Sequence, residues 1–267
     1  MSVGTAPPEV SLGGGEITEG VVRVGDTVRR PVRPSTPAVH AFLRYLAAAG
    51  FDGAPRVLGV DAAGREVLSY LPGCTATRPL PAYAVSDETL IALARLLRRM
   101  HDAAEGFVPP PGAVWEGGSH DDGAPEIIGH CDITPENVIF RGDLPYAVID
   151  FDLARPVTRL FDVVTTLRHW APIADPVDRD PLQRHLDIAA RLRLFCDAYG
   201  LPARDRRRLV AVARLRFDRS YAATRSRAVG QGGGWARMWG SGAGDRIRRA
   251  RAWLDVHQDE LDERLWC

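Results

Sequence analysis

The sequence predicts an α+β fold of two lobes, a small β-rich N-terminal lobe and a larger, mostly helical C-terminal lobe. Two observations support this prediction. Short strand patterns separated by Gly, Asp and Pro turns fill residues 11–71 around one helical pattern. After residue 72, apolar residues recur at spacings of three and four, as in amphipathic helices. The 267 residues, 45% hydrophobic and 25% charged, are sufficient for two such lobes.

The predicted N-lobe, residues 11–71, follows a tail at 1–10 that is expected to be flexible. Thr36 and Pro37 open its one helix, because a capping residue precedes a proline at the first helical position, and Gly50 ends it. Strands are predicted on both sides of this helix, at 20–24, 27–31, 56–60 and 66–71.

The C-lobe is predicted over residues 72–267. Ser86 is expected to cap a helix that runs to about Ala104, and a loop rich in Pro, Gly and Asp follows at 107–126. Strands at 137–140 and 146–151 form a hairpin, and further helices are predicted at about 160–170, 182–199, 204–228 and 245–264. Residues 229–244 are rich in Gly and Trp, so they form either a mobile lid or a connection whose Trp side chains pack on a helix.

Several functional classes are excluded by composition. No run of 18 apolar residues is present, which excludes a membrane span, and the first residues lack the pattern of a signal peptide, so a cytoplasmic protein is expected. The four cysteines form no Cys-x-x-Cys pair, which argues against a zinc site or a redox dithiol. All 34 basic residues are Arg, so any function that needs a side-chain cation falls to Arg.

The stretch with the most chemical information has the form His-x-Asp-x4-Asn, followed by a hairpin and Asp-Phe-Asp. Its residues are His130, Asp132, Asn137, Asp150 and Asp152. Phosphoryl transfer needs an oriented hydroxyl with a base beside it and a metal that neutralises phosphate charge. An amide and one or two carboxylates are sufficient protein ligands for magnesium, which keeps several waters. The spacing therefore favours a phosphotransferase.

These two motifs resemble the aminoglycoside phosphotransferase and choline kinase-like superfamily, which has the protein-kinase-like fold. The resemblance covers about residues 11–170. It implies that Asp132 is the catalytic base and that His130 braces its loop. It also implies that Asn137 and Asp150 bind Mg²⁺, with Asp152 assisting the metal or bonding to the loop. Asp162 corresponds to an Asp that supports the catalytic loop.

The same resemblance assigns nucleotide contacts to the N-lobe. Gly13, Gly14 and Gly15 would cover the phosphates with backbone N–H groups, and Arg29 matches the basic residue on the third strand, with Arg30 as the alternative. The backbone of Ser69 and Leu71 would bind the base of the nucleotide, so ATP and GTP are not separated. The helix after the third strand contains no Asp or Glu, so the usual acidic partner of the strand cation is missing.

We therefore expect an enzyme that transfers the γ-phosphoryl of ATP or GTP to a hydroxyl of a small molecule, such as an antibiotic or a metabolite. Residues 1–189 carry a net charge of −8 and residues 190–267 a net charge of +8, which favours a neutral or anionic acceptor over a polycationic one. No nucleic-acid motif is present. The alternatives are a kinase for Ser or Thr of a peptide and a non-catalytic immunity or resistance protein that sequesters its ligand.

Overall fold

The N-terminal lobe of the computed structural model, which describes residues 7–12 and 20–265, is an antiparallel sheet with one helix. Within these residues the sheet has five strands in the order β1-β2-β3-β5-β4. The strands are β1 (Glu9–Ser11), β2 (Val22–Val24), β3 (Thr27–Pro31), β4 (Val57–Val60) and β5 (Arg65–Ser69). Strand β3 therefore lies at the centre, paired with β2 on one side and with β5 on the other.

Strand β1 begins earlier than the sequence suggests. Glu9 and Val10 were expected in a flexible tail, but they pair with Val24 and Arg23 of β2. Glu9 is also held by an ion pair from its carboxylate to Arg65 Nη2 at 2.8 Å. The strand therefore starts two residues before the expected boundary of the lobe.

Helix α1 (Thr36–Ala48) forms where Thr36 and Pro37 predicted its start. Its apolar stripe is buried, with Phe42 and Leu46 fully inaccessible, and joins the hydrophobic core that continues into the C-lobe. This packing fixes the helix against the sheet and next to the loop between the lobes, because α1 also contacts the turn at Phe151–Leu153.

Helices make up most of the C-lobe. They are α2 (Asp87–Ala103), α3 (Arg159–Trp170), α4 (Ile188–Tyr199), α5 (Ala203–Arg206), α6 (Leu209–Gly230), α7 (Gly233–Gly240) and α8 (Ala243–Arg264). Two antiparallel strand pairs lie among them: β6 (Ile127–Gly129) with β9 (Arg155–Val157), and β7 (Val138–Arg141) with β8 (Leu144–Val148). The predicted two-lobed α+β fold is confirmed, although the β6–β9 pair was not predicted.

Helix α2 has the cap and the buried apolar stripe that its sequence predicts. The Ser86 hydroxyl accepts a hydrogen bond from Thr89 N at 3.1 Å, as an N-cap does. The residues at spacings of three and four, Leu90, Leu93, Leu97 and Met100, are at most 1% exposed.

Segment 229–244 contains helix α7 rather than an irregular connection. Trp235 is 8% exposed, and Trp239 lies edge-on to Tyr221 of α6 with ring centroids 5.3 Å apart. The Trp side chains therefore pack on neighbouring helices, the second of the two expectations. No helix within the described ranges has the length and apolarity to cross a membrane.

Gly129, the last residue of β6, lies where two elements approach closely. A Cβ at this position would lie 2.6 Å from Val157 Cγ2 and 2.9 Å from the carboxyl carbon of Asp162. Glycine therefore lets β6 reach β9 and the first turn of α3 at the same time.

We predict that Gly129→Ala lowers the free energy of unfolding by about 1–3 kcal/mol, because the added methyl overpacks a buried contact. Gly117→Ala is the matched control, since a Cβ there meets nothing within 4 Å. Urea unfolding of both variants measures the difference. Equal stability of the two variants would show that the strand pair shifts freely.

Candidate active site

The loop that follows β6 is held by the carboxylate of Asp162. Backbone N–H groups of His130 and Cys131 donate to its two oxygens at 2.8 and 2.7 Å. Asp162 belongs to the first turn of α3, whose N-cap is the Thr158 hydroxyl. Cys131 has a φ of 62°, a conformation that costs free energy in a non-glycine residue, and the bond to Asp162 holds it there.

Asp162 is fully buried, and its carboxylate is hydrogen-bonded to His101. The His101 Nε2–H donates to the same carboxylate at 3.0 Å, and Nδ1 shares a hydrogen bond with the Tyr199 hydroxyl at 2.7 Å. Burial alone would raise the pKa of Asp162, but the hydrogen bond and charge of His101 outweigh it and hold this pKa below its usual range. The carboxylate therefore stays ionised as a rigid acceptor.

His130 connects this loop to the next one. Its Nε2 donates to the carbonyl of Ile149 at 3.0 Å, so Nδ1 is left to accept from the backbone N–H of Asp132 at 3.3 Å. Burial lowers the pKa of His130, so the ring is neutral, and it packs against Phe151 with ring centroids 4.5 Å apart. His130 is thus a positioning residue.

Asp132 and Asn137 lie side by side. The Asn137 amide donates to the backbone carbonyl and to the carboxylate of Asp132, at 2.9 and 3.0 Å, across a 3₁₀ turn at Pro135–Asn137. Burial, and next the charge of Asp150, raise the pKa of Asp132 to about 7. A carboxylate with this pKa accepts a proton more readily than an ordinary Asp, as a general base must.

Asp150 follows β8 in a left-handed conformation, with φ 64°. The neighbouring Ile149 N–H donates to the Asn137 carbonyl at 2.9 Å, so the hairpin brings Asp150 beside the Asp132–Asn137 pair. Asp152 lies two residues further on, in a 3₁₀ turn, and burial raises its pKa against the pull of Arg30.

Arg30 of β3 is the side chain that reaches these carboxylates from the N-lobe. Its Nη1 contacts Asp150 Oδ1 at 3.1 Å and its Nη2 contacts Asp152, which also pairs with Arg33 at 3.2 Å. Burial opposes the charge of Arg30, but the carboxylates of Asp150, Asp152 and Glu66 outweigh burial and raise its pKa. Arg30 therefore bridges the two lobes as a cation.

Glu66 supplies the acidic partner that was missing from helix α1. It stands opposite Arg30 in the β3–β5 ladder, and its carboxylate lies 3.0 Å from Arg30 Nε. His40 of α1 bonds to the other oxygen at 2.7 Å. The acid thus comes from a neighbouring strand, and the helix contributes the imidazole that orients it; sequence reasoning did not find Glu66.

Arg29 points away from this cluster. Its guanidinium lies 3.0 Å from Asp61, which Arg65 also contacts at 2.9 Å, on the other face of the sheet. The side chain predicted at the nucleotide phosphates is therefore not brought to Asp150, whereas its alternative Arg30 is. Strand alternation sends consecutive residues to opposite faces, so only one of the two can reach the cleft.

The other residues predicted to contact the nucleotide are Ser69, Leu71 and the three glycines at 13–15. Ser69 ends β5, and both its backbone N–H and its hydroxyl are engaged with Arg56, at 2.9 and 2.8 Å. Leu71 lies just beyond the ladder. Gly13, Gly14 and Gly15 lie outside the described residues.

The donor set fits a hard divalent cation. Asp150 offers a carboxylate, and Asn137 offers its amide oxygen because its amide nitrogen is turned toward Asp132. Oxygen ligands of this kind, completed by water and phosphate, are what magnesium prefers. The described residues hold no group of three or more His, Cys, Asp or Glu with metal-binding geometry, so phosphate oxygens and water would supply most of the ligands.

This chain belongs to the phosphotransferase enzyme family, which it matches over residues 4–117 and 113–210. The family is the one that the motifs of the sequence resemble, so that prediction is confirmed.

Three similar proteins illustrate the range. The trifolitoxin immunity protein of Rhizobium leguminosarum bv. trifolii is 35% identical over 204 residues, covering 74% of this chain and 76% of that protein. A microcompartment-associated aminopropanol kinase superposes with a TM-score of 0.61 at 17% identity, over 97% of this chain and 94% of the other. An ADP-bound aminoglycoside phosphotransferase gives 0.58 at 12%, over 94% and 93%.

We predict that Asp162→Asn lowers the free energy of unfolding by about 3–5 kcal/mol, because an uncompensated group remains in a fully buried site. Since the folded-state pKa of Asp162 is lowered, its stabilisation exists above the ordinary carboxyl pKa and is lost as the pH falls through the folded value. The gap to wild type should therefore narrow below about pH 4.

Denaturant unfolding at several pH values measures this gap. Asp102→Asn is the control, because Asp102 is exposed in its pair with Arg98 and should lose less than about 1 kcal/mol. A pH-independent gap for Asp162→Asn would contradict an ionised Asp162.

Proposed function

We propose that this protein transfers the γ-phosphoryl group of ATP or GTP to a hydroxyl of a small molecule. The observation that carries the proposal is the convergence of Asp132, Asn137 and Asp150 from two loops, with Arg30 reaching them from the other lobe. Membership of the phosphotransferase family supports the same reaction. ATP and GTP are present in the cytoplasm, where the sequence predicts this protein to be.

Asp132 acts as the general base. Its carboxylate accepts the proton of the acceptor hydroxyl while that oxygen bonds to the γ-phosphorus and the bond to the β-phosphate oxygen breaks, which releases ADP or GDP. The pKa of Asp132 near 7 suits this transfer. Asn137 holds the carboxylate in place through its amide N–H at 3.0 Å.

Arg30, Asn137 and Asp150 bind the nucleotide end of the reaction. Arg30 is held by Glu66 at 3.0 Å and donates to phosphate oxygens, a bidentate contact for which guanidinium is well shaped. Asn137 and Asp150 hold Mg²⁺, which when bound neutralises developing phosphate charge. Asp152 keeps Arg30 and Arg33 oriented. Leu71 and the segment with Gly13, Gly14 and Gly15 remain proposed nucleotide contacts.

One relative favours a second role. The protein that is 35% identical to this chain is named an immunity protein against trifolitoxin. We infer that this chain also protects a cell against a toxic compound, either by phosphorylating a hydroxyl on it or by binding it. ADP or GDP release, measured across a panel of hydroxylated antibiotics, sugars, amino alcohols and peptides, separates turnover from sequestration.

We predict that Asp132→Asn lowers phosphoryl transfer by about 10²–10⁴-fold, because the amide cannot accept the hydroxyl proton. Nucleotide affinity should stay within about twofold, since Asp132 faces the acceptor. Product release assays and nucleotide titration by calorimetry measure the two effects. Asp143→Asn, at the exposed hairpin turn, is the control. Near wild-type turnover of Asp132→Asn would assign the base to another residue.

We predict that Arg30→Ala raises the nucleotide KM about tenfold or more, the effect of losing one charge-assisted hydrogen bond, whereas Arg29→Ala changes it little. Arg30→Lys should restore part of the affinity, because a point charge replaces a bidentate contact. Steady-state kinetics at saturating acceptor distinguish the three variants. The reverse order, with Arg29→Ala the damaging change, would assign phosphate binding to the other face of β3.

A further inference from the structure

Three arginines of the C-lobe interact electrostatically with Asp132 and form what we call the arginine cluster: Arg155, Arg168 and Arg216. They come from β9, from α3 directly after it, and from the distant α6. Charges of Arg155 and Arg216 act on Asp132, and that of Asp132 acts on Arg168. The Trp170 Nε1–H donates to the carbonyl of Ile133 at 2.8 Å, which ties the end of α3 to the loop of Asp132.

Arg168 forms no ion pair among the described residues, although the charge of Asp132 acts on it. Its guanidinium carbon lies 5.6 Å from the centroid of the Phe217 ring. Burial lowers the pKa of Arg168 to about 10, and the neighbouring Arg246 and Arg78 act in the same direction. A guanidinium in such a position is energetically unfavourable until an anion joins it.

Arg216 is also left incomplete. It is 7% exposed, and its Nε donates to the Thr165 hydroxyl at 2.9 Å, but its buried Nη1 has no hydrogen-bond partner among the described residues. Burial and the charges of Arg168 and Arg155 lower its pKa. An arginine stays protonated even when burial lowers its pKa, so Arg216 keeps a charged donor that no described residue uses.

Apart from the charge of Asp132, no carboxylate within residues 7–12 and 20–265 forms an ion pair with the three arginines. Arg155 is satisfied by the carbonyls of Ser119 and Leu153, at 2.7 Å each, so its charge is not neutralised. Burial and the charges of Arg168 and Arg216 lower the pKa of His169 well below its ordinary value. At the edge of the cluster, Arg227 has its own partner in Glu116, 3.7 Å away.

We propose that the arginine cluster binds an anionic group of the acceptor, a carboxylate or a phosphate, and so holds the acceptor hydroxyl against Asp132. This inference rests on the proposed phosphotransferase function and specifies its substrate class: a hydroxyl compound that carries a negative charge. Arg168 and the free Nη1 of Arg216 are the donors that contact the anion. Guanidinium groups match planar carboxylate and phosphate oxygens, which makes them selective for such a group over an amine.

The position of the cluster explains why an anion belongs there. Asp132 is the carboxylate whose charge is felt by both Arg168 and Arg216, yet it is hydrogen-bonded to Asn137. A second negative group, brought by the acceptor, would neutralise the arginines without disturbing that bond. A polycationic acceptor would instead be repelled from the residue that must deprotonate it.

The test is calorimetric titration of the full chain with inorganic phosphate, malonate and ethanolamine. Phosphate or malonate should bind, and the tighter of the two identifies the kind of anion, whereas ethanolamine should not. Arg168→Gln should weaken anion binding at least tenfold, with the exposed Arg193→Gln leaving it within twofold. Absence of anion binding, or its loss in Arg30→Ala rather than in Arg168→Gln, would overturn the inference.

Stability and nucleotide binding provide separate readouts on the same samples. Without anion, Arg168→Gln should melt at or above the wild-type temperature, because it removes an unpaired charge; a lower melting temperature would indicate a purely structural role and overturn the inference. Arg216→Lys, which keeps the charge, should retain part of the affinity. Titration with MgATP and MgGTP tests the proposed function by itself. Nucleotide binding without anion binding would contradict only the role of the arginine cluster. Anion binding without nucleotide binding would contradict the proposed phosphotransferase function.

Discussion

The geometry of the site depends on one buried carboxylate. Asp162, fully inaccessible and kept ionised by His101, accepts the backbone N–H groups of His130 and Cys131. Without this acceptor, two buried amides and a left-handed Cys131 would be unsupported, and the loop that carries Asp132 would lose its attachment to α3. Asp162 belongs to the first turn of α3. The packing of this helix therefore helps to fix the position of the loop that carries Asp132.

In the N-lobe, carboxylates stabilise the buried guanidinium of Arg30. Arg30 is surrounded by Glu66, Asp150 and Asp152, and His40 fixes Glu66 from behind. A helix without acidic residues is therefore no obstacle to an ordered cation on β3, since Glu66 stands directly across the strand ladder. The Arg30–Glu66 pair is built within one sheet, and helix α1 contributes only His40, which bonds to the other oxygen of Glu66.

Local patterns made the elements predictable. The Ser86 cap, the stripe of α2 and the proline at the start of α1 each depend on residues within one or two turns. The His130–Asn137 and Asp150–Asp152 motifs were readable because a short hairpin fixes their distance. What escaped prediction joins distant residues: the choice between Arg29 and Arg30 depends on which face of β3 meets the other lobe, and the Arg30–Glu66 pair and the arginine cluster exist only after folding.

The contact between Arg30 and Asp150 has a consequence for motion. It is an ion pair between lobes, made by the residue proposed to bind phosphate and the residue proposed to bind metal. In the proposed complex, phosphate would replace Asp150 as the partner of Arg30, and Mg²⁺ would replace Arg30 as the partner of Asp150. Nucleotide binding would therefore exchange one set of charge pairs for another. The Arg30–Asp150 ion pair would then break when the nucleotide binds. It would form again when the product leaves, and this would draw the two lobes together.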